Sequence, residues 1–252
     1  PELGFNFVDE NHPEDARDPA NDGGNAGHGT GTIGILAGNT VSRPASSPGG
    51  RFHGDLGGAP NAEVIPVRIA NSVIHFKTSS MAQGLAYAIA PRGDPAHRCD
   101  VVTISMGGVP SQAWADAVNA AYENGIVIVA AAGNRLGKSP PYSMVWPARF
   151  RRVIAACGAN SNGRPYYRPL FLREVQGCFG PQRAMRCAMA AYTPNVPWAE
   201  AGSRHVIDLN GAGTSSATPQ IAAAAALWLQ MHGQGIPNTW RRVESVRHAL
   251  FT

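Results

Sequence analysis

The sequence has few charged residues and no long apolar run. Only 15% of its 252 residues are Asp, Glu, Lys or Arg, whereas 44% are hydrophobic. Disordered chains are rich in charge and poor in apolar residues, so this balance excludes a disordered protein and is typical of a folded globular domain. Because no apolar stretch reaches about 18 residues, the sequence predicts no membrane span.

The sequence also lacks a recognisable leader. No signal peptide is present, and the first residue is Pro1 rather than Met. A processing site, an expression boundary or the edge of a fragment would each produce this beginning.

The four cysteines include no C-x-x-C pair, so a zinc site is not predicted. Cys178 and Cys187 are close enough in sequence to bridge a loop, although four cysteines allow three pairings. Cys99 and Cys157 border apolar runs, and we expect them to be buried free thiols.

The formal net charge is +4, and much of the basic excess lies between Arg149 and Arg186. Such a cluster indicates either a patch for anionic partners or, in our preferred interpretation, a solvated loop surface. No signature of an RNA-binding or DNA-binding fold accompanies it. Nucleic acid is therefore not an expected partner.

Apolar runs alternate with amphipathic segments along the chain. The predicted strands are Ala62–Ile69, Asp100–Met106, Ile126–Ala132 and Arg152–Cys157. The predicted helices between them are Thr78–Ala90 and Ala113–Asn124. This alternation predicts an α/β fold of three layers, with helices on both faces of a mostly parallel sheet. The least regular region, Arg164–Ala190, is interpreted as a surface excursion.

Two glycine-rich segments are similar to nucleotide-binding motifs, but both lack the required context. Residues Ala132–Ser139 follow a strand as a phosphate-binding loop does, yet three prolines occur where a helix would have to begin: Pro140, Pro141 and Pro147. Gly29–Gly34 spells G-x-G-x-x-G but follows the polar stretch Asn21–Gly27 instead of a strand. A bound nucleotide is therefore not expected.

Three other segments carry side chains suited to nucleophilic catalysis. His28 stands at the start of a predicted helix that ends at Gly38. Ser215 lies in a glycine-rich run before a long apolar helix, whose free N–H groups and positive dipole end favour a developing oxyanion. Asn134 ends a buried strand, so its amide can point to a fixed position above the sheet. Taken singly, His28 and Ser215 are also typical of helix caps, and Asn134 of a turn.

Together these segments resemble the subtilisin-like proteases, or subtilases. The matching pieces, in the family's order, are HGTGTIG at His28, GGAP at Gly57–Pro60, DVVTISMGG at Asp100–Gly108, AAAGN ending at Asn134 and GTSSATP at Gly213–Pro219. They cover almost the whole chain, and the serine motif combined with the AAAGN motif is specific to this family.

The resemblance implies a serine endopeptidase, with one peptidase domain over residues 1–252. Ser215 would attack a polypeptide substrate, His28 would act as general acid and base, and Asn134 would hold the oxyanion. The implied substrate-binding residues form two groups. Ser105, Met106, Gly107 and Gly108 form a strand edge that pairs with the substrate backbone, and Ala132 and Gly133 form a wall of the pocket. No cofactor is expected, and the family favours secretion or the cell envelope.

The pattern breaks at the family's catalytic aspartate, which lies upstream of the histidine at the end of the first central strand. Four aspartates precede His28, but none ends an apolar strand of that kind: Asp9, Asp15, Asp18 and Asp22. We therefore expect the domain to be N-terminally incomplete, with an N-terminal segment or propeptide as a partner. The chain alone would be weakly active or inactive. The alternative is a catalytically dead relative that binds peptides.

Smaller departures concern residues outside the chemistry. Gly31 and Gln220 stand where many subtilases have histidines. The loop Asn39–Leu56 is poor in acidic residues, and calcium prefers six or more oxygen ligands that usually include several carboxylates. No metal site is assigned.

Overall fold

The computed structural model describes residues 2–18, 26–43, 51–75, 77–169, 174–203 and 206–252. The α-helices in these ranges are α1 (His28–Ala37), α2 (Thr78–Ile89), α3 (Gln112–Glu123), α4 (Thr214–His232) and α5 (Trp240–Phe251). Short 3₁₀ turns occur at Pro91–Gly93, Pro95–His97 and Gln182–Cys187.

The strands are numbered in chain order. They are β1 (Phe5–Asn6), β2 (Thr40–Arg43), β3 (Phe52–Asp55), β4 (Val67–Arg68), β5 (Ile74–His75), β6 (Val101–Ile104), β7 (Gly107–Gly108), β8 (Val127–Ala131), β9 (Asn134–Leu136), β10 (Ile154–Ala159), β11 (Tyr167–Pro169), β12 (Glu174–Gly177), β13 (Ala188–Tyr192), β14 (Val196–Ala199) and β15 (Ile207–Gly211). The main sheet has the order β13-β10-β8-β6, and all of its pairings are parallel.

Strand β8 shows why helices cover both faces of the main sheet. All of its residues are buried, and successive side chains point to opposite faces. Ile128 and Ala130 share a core with α2 and α3, whereas Val127 and Val129 share a core with α4 and α5. A strand that is buried on both faces needs such a continuous apolar run. The predicted three-layer α/β fold is confirmed.

The predicted helices form with small shifts at their ends. Helix α2 buries Met81, Leu85 and Ala88 on the face that the apolar spacing predicts. Helix α3 begins after Ser111, whose side chain accepts a hydrogen bond from the Trp114 N–H at 3.2 Å and so satisfies one free donor of the first turn.

A smaller sheet stands apart from the main one. Strands β1 and β4 pair in parallel, and no strand of the described residues joins β4 to β6. A cavity of about 1030 Å³ separates them, lined by residues 64–72 on one side and 101–106 on the other. We call this cavity the slot. The prediction of a strand over Ala62–Ile69 is wrong in length, because Pro66 has no N–H and the slot edge of β4 has no partner strand.

The region Arg164–Ala190 is only partly a surface excursion. Strand β12 pairs antiparallel with both β11 and β9, and β13, which begins at Ala188, is an edge strand of the main sheet. The interpretation is therefore wrong for the end of this region. Residues 170–173 lie outside the described residues.

The cysteines are all free, so the bridge between Cys178 and Cys187 does not form. Their sulfurs point to different places, because Cys178 Sγ contacts the Pro141 carbonyl and Cys187 Sγ contacts the Arg151 carbonyl. Cys99 and Cys157 are free thiols as predicted, although they are partly rather than fully buried. Burial raises the pKa of each to about 11.

Candidate active site

The start of helix α1 holds His28 in a fixed place. Gly27 precedes the helix in a left-handed conformation, with φ of 77°. The Asp18 carboxylate accepts hydrogen bonds from the Thr30 N–H at 2.7 Å, the Thr30 hydroxyl at 3.1 Å and the Gly27 N–H at 3.3 Å. A carboxylate at a helix start satisfies free N–H donors and interacts favourably with the helix dipole. Asp18 therefore anchors the turn that presents His28.

His28 is partly buried beside an aromatic ring. Its ring meets the Trp198 ring edge to face, with 5.5 Å between the ring centroids. Burial lowers the pKa of His28 below its ordinary value, and the negative charge of Asp18 partly opposes this effect. A histidine held neutral in this way can accept a proton, as a general base must.

Ser215 lies in the first turn of α4, where a proline directs the local hydrogen bonds. Pro219 has no N–H to donate to the Ser215 carbonyl four residues earlier. The Ser105 hydroxyl donates to that carbonyl instead, at 2.9 Å. In return, the Ser215 hydroxyl donates to the Ser105 carbonyl at 3.3 Å. This pair of contacts fixes the candidate nucleophile to the residue that follows β6.

Asn134 is held beside the start of the same helix. Its Oδ1 accepts a hydrogen bond from the Thr214 N–H at 3.0 Å, and the Thr214 hydroxyl accepts one from the Gly133 N–H at 3.0 Å. Gly213 permits this close approach, because a Cβ on it would lie 2.8 Å from Asn134 Nδ2. Within the part of the chain described, Asn134 Nδ2 donates no hydrogen bond. The amide is thus oriented by its oxygen, while its donor remains free for a ligand.

One cavity of about 370 Å³ brings His28, Asn134 and Ser215 together. Val73, Trp198 and Asp208 also line it, and the sequence analysis identified none of these three. Neither did it identify Thr214 as the residue that orients Asn134. Across the described residues, His28 and Ser215 make no direct hydrogen bond in this state.

No aspartate of the described residues bonds to His28. Asp9 pairs with His12, Asp15 with Arg17 and Asp18 with Thr30. Asp208 lines the cavity, but its carboxylate accepts hydrogen bonds from the backbone and side chain of Asn210. Asp22 lies outside the described residues.

The predicted substrate-binding residues do not themselves line this cavity, although Ser105 contacts Ser215 and Gly107 contacts Val73. Several of their backbone groups are already bonded. The Gly107 N–H donates to the Val73 carbonyl at 3.1 Å, and β5 pairs with β7 in parallel. The Gly108 N–H donates to the Trp146 carbonyl at 2.9 Å. Ser105 and Met106 line the slot as well.

The predicted pocket wall, Ala132 and Gly133, is tied into the fold. The Ala132 carbonyl accepts a hydrogen bond from the Val145 N–H at 2.9 Å, and the Gly133 carbonyl accepts one from the Cys178 N–H at 2.8 Å. Ala132 is fully buried. These residues form a rigid wall opposite β7.

Within the residues that the structure describes, no group of three or more His, Cys, Asp or Glu side chains is placed to hold a metal ion. None of the helices in this part of the chain is both long enough and apolar enough to cross a membrane.

Comparison with known proteins identifies the family of this chain. The sequence model of the subtilase family matches residues 5–252. Subtilisin DY from Bacillus licheniformis is 32% identical over 209 residues, which cover 82% of this chain and 64% of that protein. Subtilisin Savinase from Lederbergia lenta is 32% identical over 232 residues, which cover 92% of this chain and 71% of that protein.

The matched region is only part of several relatives. An alkaline protease from Alkalihalobacillus alcalophilus is 32% identical over 92% of this chain, but the match spans 50% of that protein. The chain therefore spans about half to two thirds of the length of most of these relatives. With a family match over nearly its whole length, the chain belongs to the subtilase family of serine peptidases.

Proposed function

We propose that this chain is the peptidase domain of a serine endopeptidase. Ser215 Oγ attacks the carbonyl carbon of the scissile bond while its proton passes to His28. His28 donates that proton to the leaving nitrogen, the C–N bond breaks, and an acyl ester remains on Ser215 until water hydrolyses it. The observation that supports this mechanism best is the single cavity lined by His28, Asn134 and Ser215.

The start of α4 and Asn134 supply the oxyanion site. The Ser215 N–H belongs to the first turn of the helix, where N–H groups have no intrahelical partner. Asn134 Nδ2 is the second donor, and the Thr214 N–H keeps its amide oriented before substrate binds. In subtilisin itself, where the effect has been measured, loss of such a donor lowers turnover by about 10²–10³.

A peptide substrate would bind along Ser105, Met106, Gly107 and Gly108. Its backbone would replace Val73 as the partner of Gly107, exchanging one backbone hydrogen bond for another. Such an exchange costs little free energy, because an equivalent hydrogen bond forms in its place.

The finer part of the proposal is that one more strand completes the sheet by entering the slot. Its partners would be the free edges of β4 and β6. The residue after β6, Ser105, contacts Ser215. A strand parallel to β6 would therefore also end beside the cavity lined by His28, Asn134 and Ser215, which we call the catalytic cavity. Thr103 of β6 lines the slot, and its buried hydroxyl has no hydrogen-bond partner within the described ranges. An inserted strand would bring polar backbone groups next to this part of β6.

The position of His28 indicates which side chain the end of the inserted strand should carry. This residue lines both the slot and the catalytic cavity, so it lies at the boundary between them. A carboxylate at the carboxyl end of an inserted strand would reach the His28 ring and hold it in one tautomer. The occupant that we propose is an extended apolar segment of the parent polypeptide, upstream of these residues, that ends in an aspartate.

Without this segment, the chain should be weakly active or inactive. In a trypsin-type protease, removing the charge of the equivalent aspartate lowers turnover by about 10⁴, because the histidine adopts the wrong tautomer. Oxyanion binding and the Ser215 nucleophile would remain.

Reaction with a fluorophosphonate, followed by mass mapping, tests the proposed function. We expect a single labelled residue, Ser215, no label in Ser215→Ala, and much slower labelling in His28→Ala. Circular dichroism would show that each variant is folded. A folded wild-type chain that is never labelled, with or without an added strand peptide, would contradict the proposal and favour the peptide-binding relative.

A further inference from the structure

We propose that Val145 fills the pocket for the substrate side chain that precedes the cut, so that the protein accepts only small residues there. The ligand class is a peptide with glycine or alanine at that position. The inference rests on the proposed function, because Ser215 defines where the cut occurs.

The position of this pocket follows from the catalytic groups. The carbonyl under attack must lie against Ser215 Oγ, with its oxygen towards Asn134 Nδ2. A substrate backbone that pairs with Ser105 and Gly107 then directs the preceding side chain away from His28. The space on that side lies between β7 and the wall at Ala132 and Gly133.

Val145 occupies this space. Its Cγ2 lies 2.3 Å from the place where a Cβ on Gly107 would be. The same methyl group lies 3.0 Å, and Cγ1 lies 3.1 Å, from the place where a Cβ on Gly133 would be. The isopropyl group therefore spans the gap between the two glycines. A Cβ on Gly107 would overlap Val145, and a Cβ on Gly133 would be in tight contact with it.

The backbone on both sides of the Val145 side chain is fixed. The Val145 N–H donates to the Ala132 carbonyl, and the next residue, Trp146, accepts a hydrogen bond from the Gly108 N–H, each at 2.9 Å. Met144 is 1% exposed, and the Arg149 guanidinium stacks over the Trp146 ring at 4.1 Å. Withdrawing the valine would break backbone hydrogen bonds on one side or the other. The fold therefore holds the Val145 side chain in the pocket.

A large substrate side chain would overlap the Val145 methyl groups. One methylene too many in an apolar pocket changes specificity by about 10–200-fold. A phenyl ring exceeds a methyl group by several carbons, so discrimination against phenylalanine should reach at least this range.

Peptide boronic acids provide a test that does not require turnover. Two probes would differ only in their last side chain, that of alanine or that of phenylalanine. Ser215 Oγ adds to the boron atom, an O–B bond forms, the proton passes to His28, and no group leaves. Affinity is measured by competition with fluorophosphonate labelling of Ser215. We expect the wild-type chain to bind the alanine probe about 10–200-fold more tightly.

Variants at Val145 should change the ratio of the affinities for the alanine and phenylalanine probes. Val145→Ala removes two methyl groups and keeps the N–H, so the preference for alanine should fall at least about tenfold. Val145→Gly opens the pocket further and should favour phenylalanine. If the glycine variant does not fold, the alanine variant decides. Val206→Ala is the matched control, because Val206 is 45% exposed, and its ratio should equal that of the wild type.

Two contrary results have different meanings. If Ser215 is labelled but the wild-type chain binds both probes equally, or Val145→Ala leaves the ratio unchanged, the assignment of Val145 is wrong. If the folded wild-type chain is not labelled at Ser215 either alone or with an added strand peptide, the proposed function fails, and this inference fails with it.

Discussion

At the residue scale, a glycine and a tryptophan shape the surroundings of His28. Gly31 lies one turn along α1, and the Trp198 ring packs directly against it. Trp198 also meets the His28 ring, so one indole contacts both the helix and the candidate base. Position 31 therefore has no room for a histidine while Trp198 of β14 packs against it, which couples the two positions sterically.

This coupling makes Gly31→Ala destabilising. A methyl group at this position would lie 1.8 Å from Trp198 Cε2, so the ring would have to move. We expect a loss of about 1–3 kcal/mol in the free energy of unfolding, measured with urea. In a Trp198→Ala background the same change should be neutral or stabilising, as glycine-to-alanine changes in helices usually are. An equal loss in both backgrounds would show that Trp198 is not the cause.

Asp18 should set the pH at which His28 loses its activity as a base. The charge of Asp18 raises the pKa of His28, whereas burial lowers it. In Asp18→Asn the raising effect is lost, so the pKa falls further and His28 stays neutral to lower pH. In a plot of the fluorophosphonate labelling rate against pH, the acid limb should shift to lower pH.

Asparagine at position 18 keeps an oxygen for the Thr30 N–H, so the helix start is preserved. Asp15→Asn is the control, because Asp15 pairs with Arg17 and does not affect the pKa of His28. A shift to higher pH in Asp18→Asn would contradict this electrostatic account.

At the element scale, the first turn of α4 is where the candidate nucleophile, Ser215, and the proposed oxyanion donor, Asn134, are aligned. Gly213 has φ of 81° and ψ of 178°, a conformation that essentially only glycine adopts. Its lack of a side chain also lets Asn134 approach. The turn thus depends on glycine for two separate reasons, which can be separated experimentally.

Gly213→Ala should combine backbone strain with displacement of Asn134. Its Cβ would lie 2.8 Å from Asn134 Nδ2. We expect labelling of Ser215 to slow by about 10²–10³, as for loss of an oxyanion donor. Gly235→Ala is the matched control, because Gly235 has φ of +80° with nothing within 4 Å of the added Cβ. The control should lose about 1–2 kcal/mol of stability without slower labelling. Equal labelling rates in the two variants would contradict the role of Gly213.

At the scale of the whole molecule, the slot separates the small sheet of β1 and β4 from the main sheet. Strand β4 pairs only with β1 in the described part of the chain, and β6 ends the main sheet. Exposed strand edges and apolar lining residues are costly features that an added strand would remove. Completion of the sheet and completion of the catalytic site are therefore expected to be one event.

Hydrogen exchange on addition of a strand peptide tests this expectation. The peptide would be rich in valine and isoleucine, because a strand buried on both faces requires this, and would end in aspartate. Amide exchange should slow in β4 and β6 but not in β13, and labelling of Ser215 should accelerate. A control peptide that ends in asparagine should protect β4 and β6 equally without accelerating the labelling. Unchanged exchange in β4 and β6 would contradict insertion into the slot.

Much of the fold could be predicted from local patterns. The buried strand β8, helices α1 to α3 and the apolar helix after Ser215 follow from apolar runs, their spacing and their end signals. Helix α5 was not predicted. Strand β13 was missed because its sequence, AMAAY, has no β-branched run and resembles a loop between irregular segments. Strand β4 was predicted too long because an apolar run does not reveal whether a partner strand is present.

Local sequence patterns are enough to place the candidate catalytic residues, because His28, Asn134 and Ser215 each stand at the end of an element that local chemistry specifies. Long-range packing sets what surrounds them: Trp198 against Gly31, Thr214 on Asn134 and Val145 between Gly107 and Gly133. The partners in these contacts come from segments far apart along the chain. Close packing of a core determines such contacts, and the periodicity of a single segment carries no information about the distant segment that will lie against it.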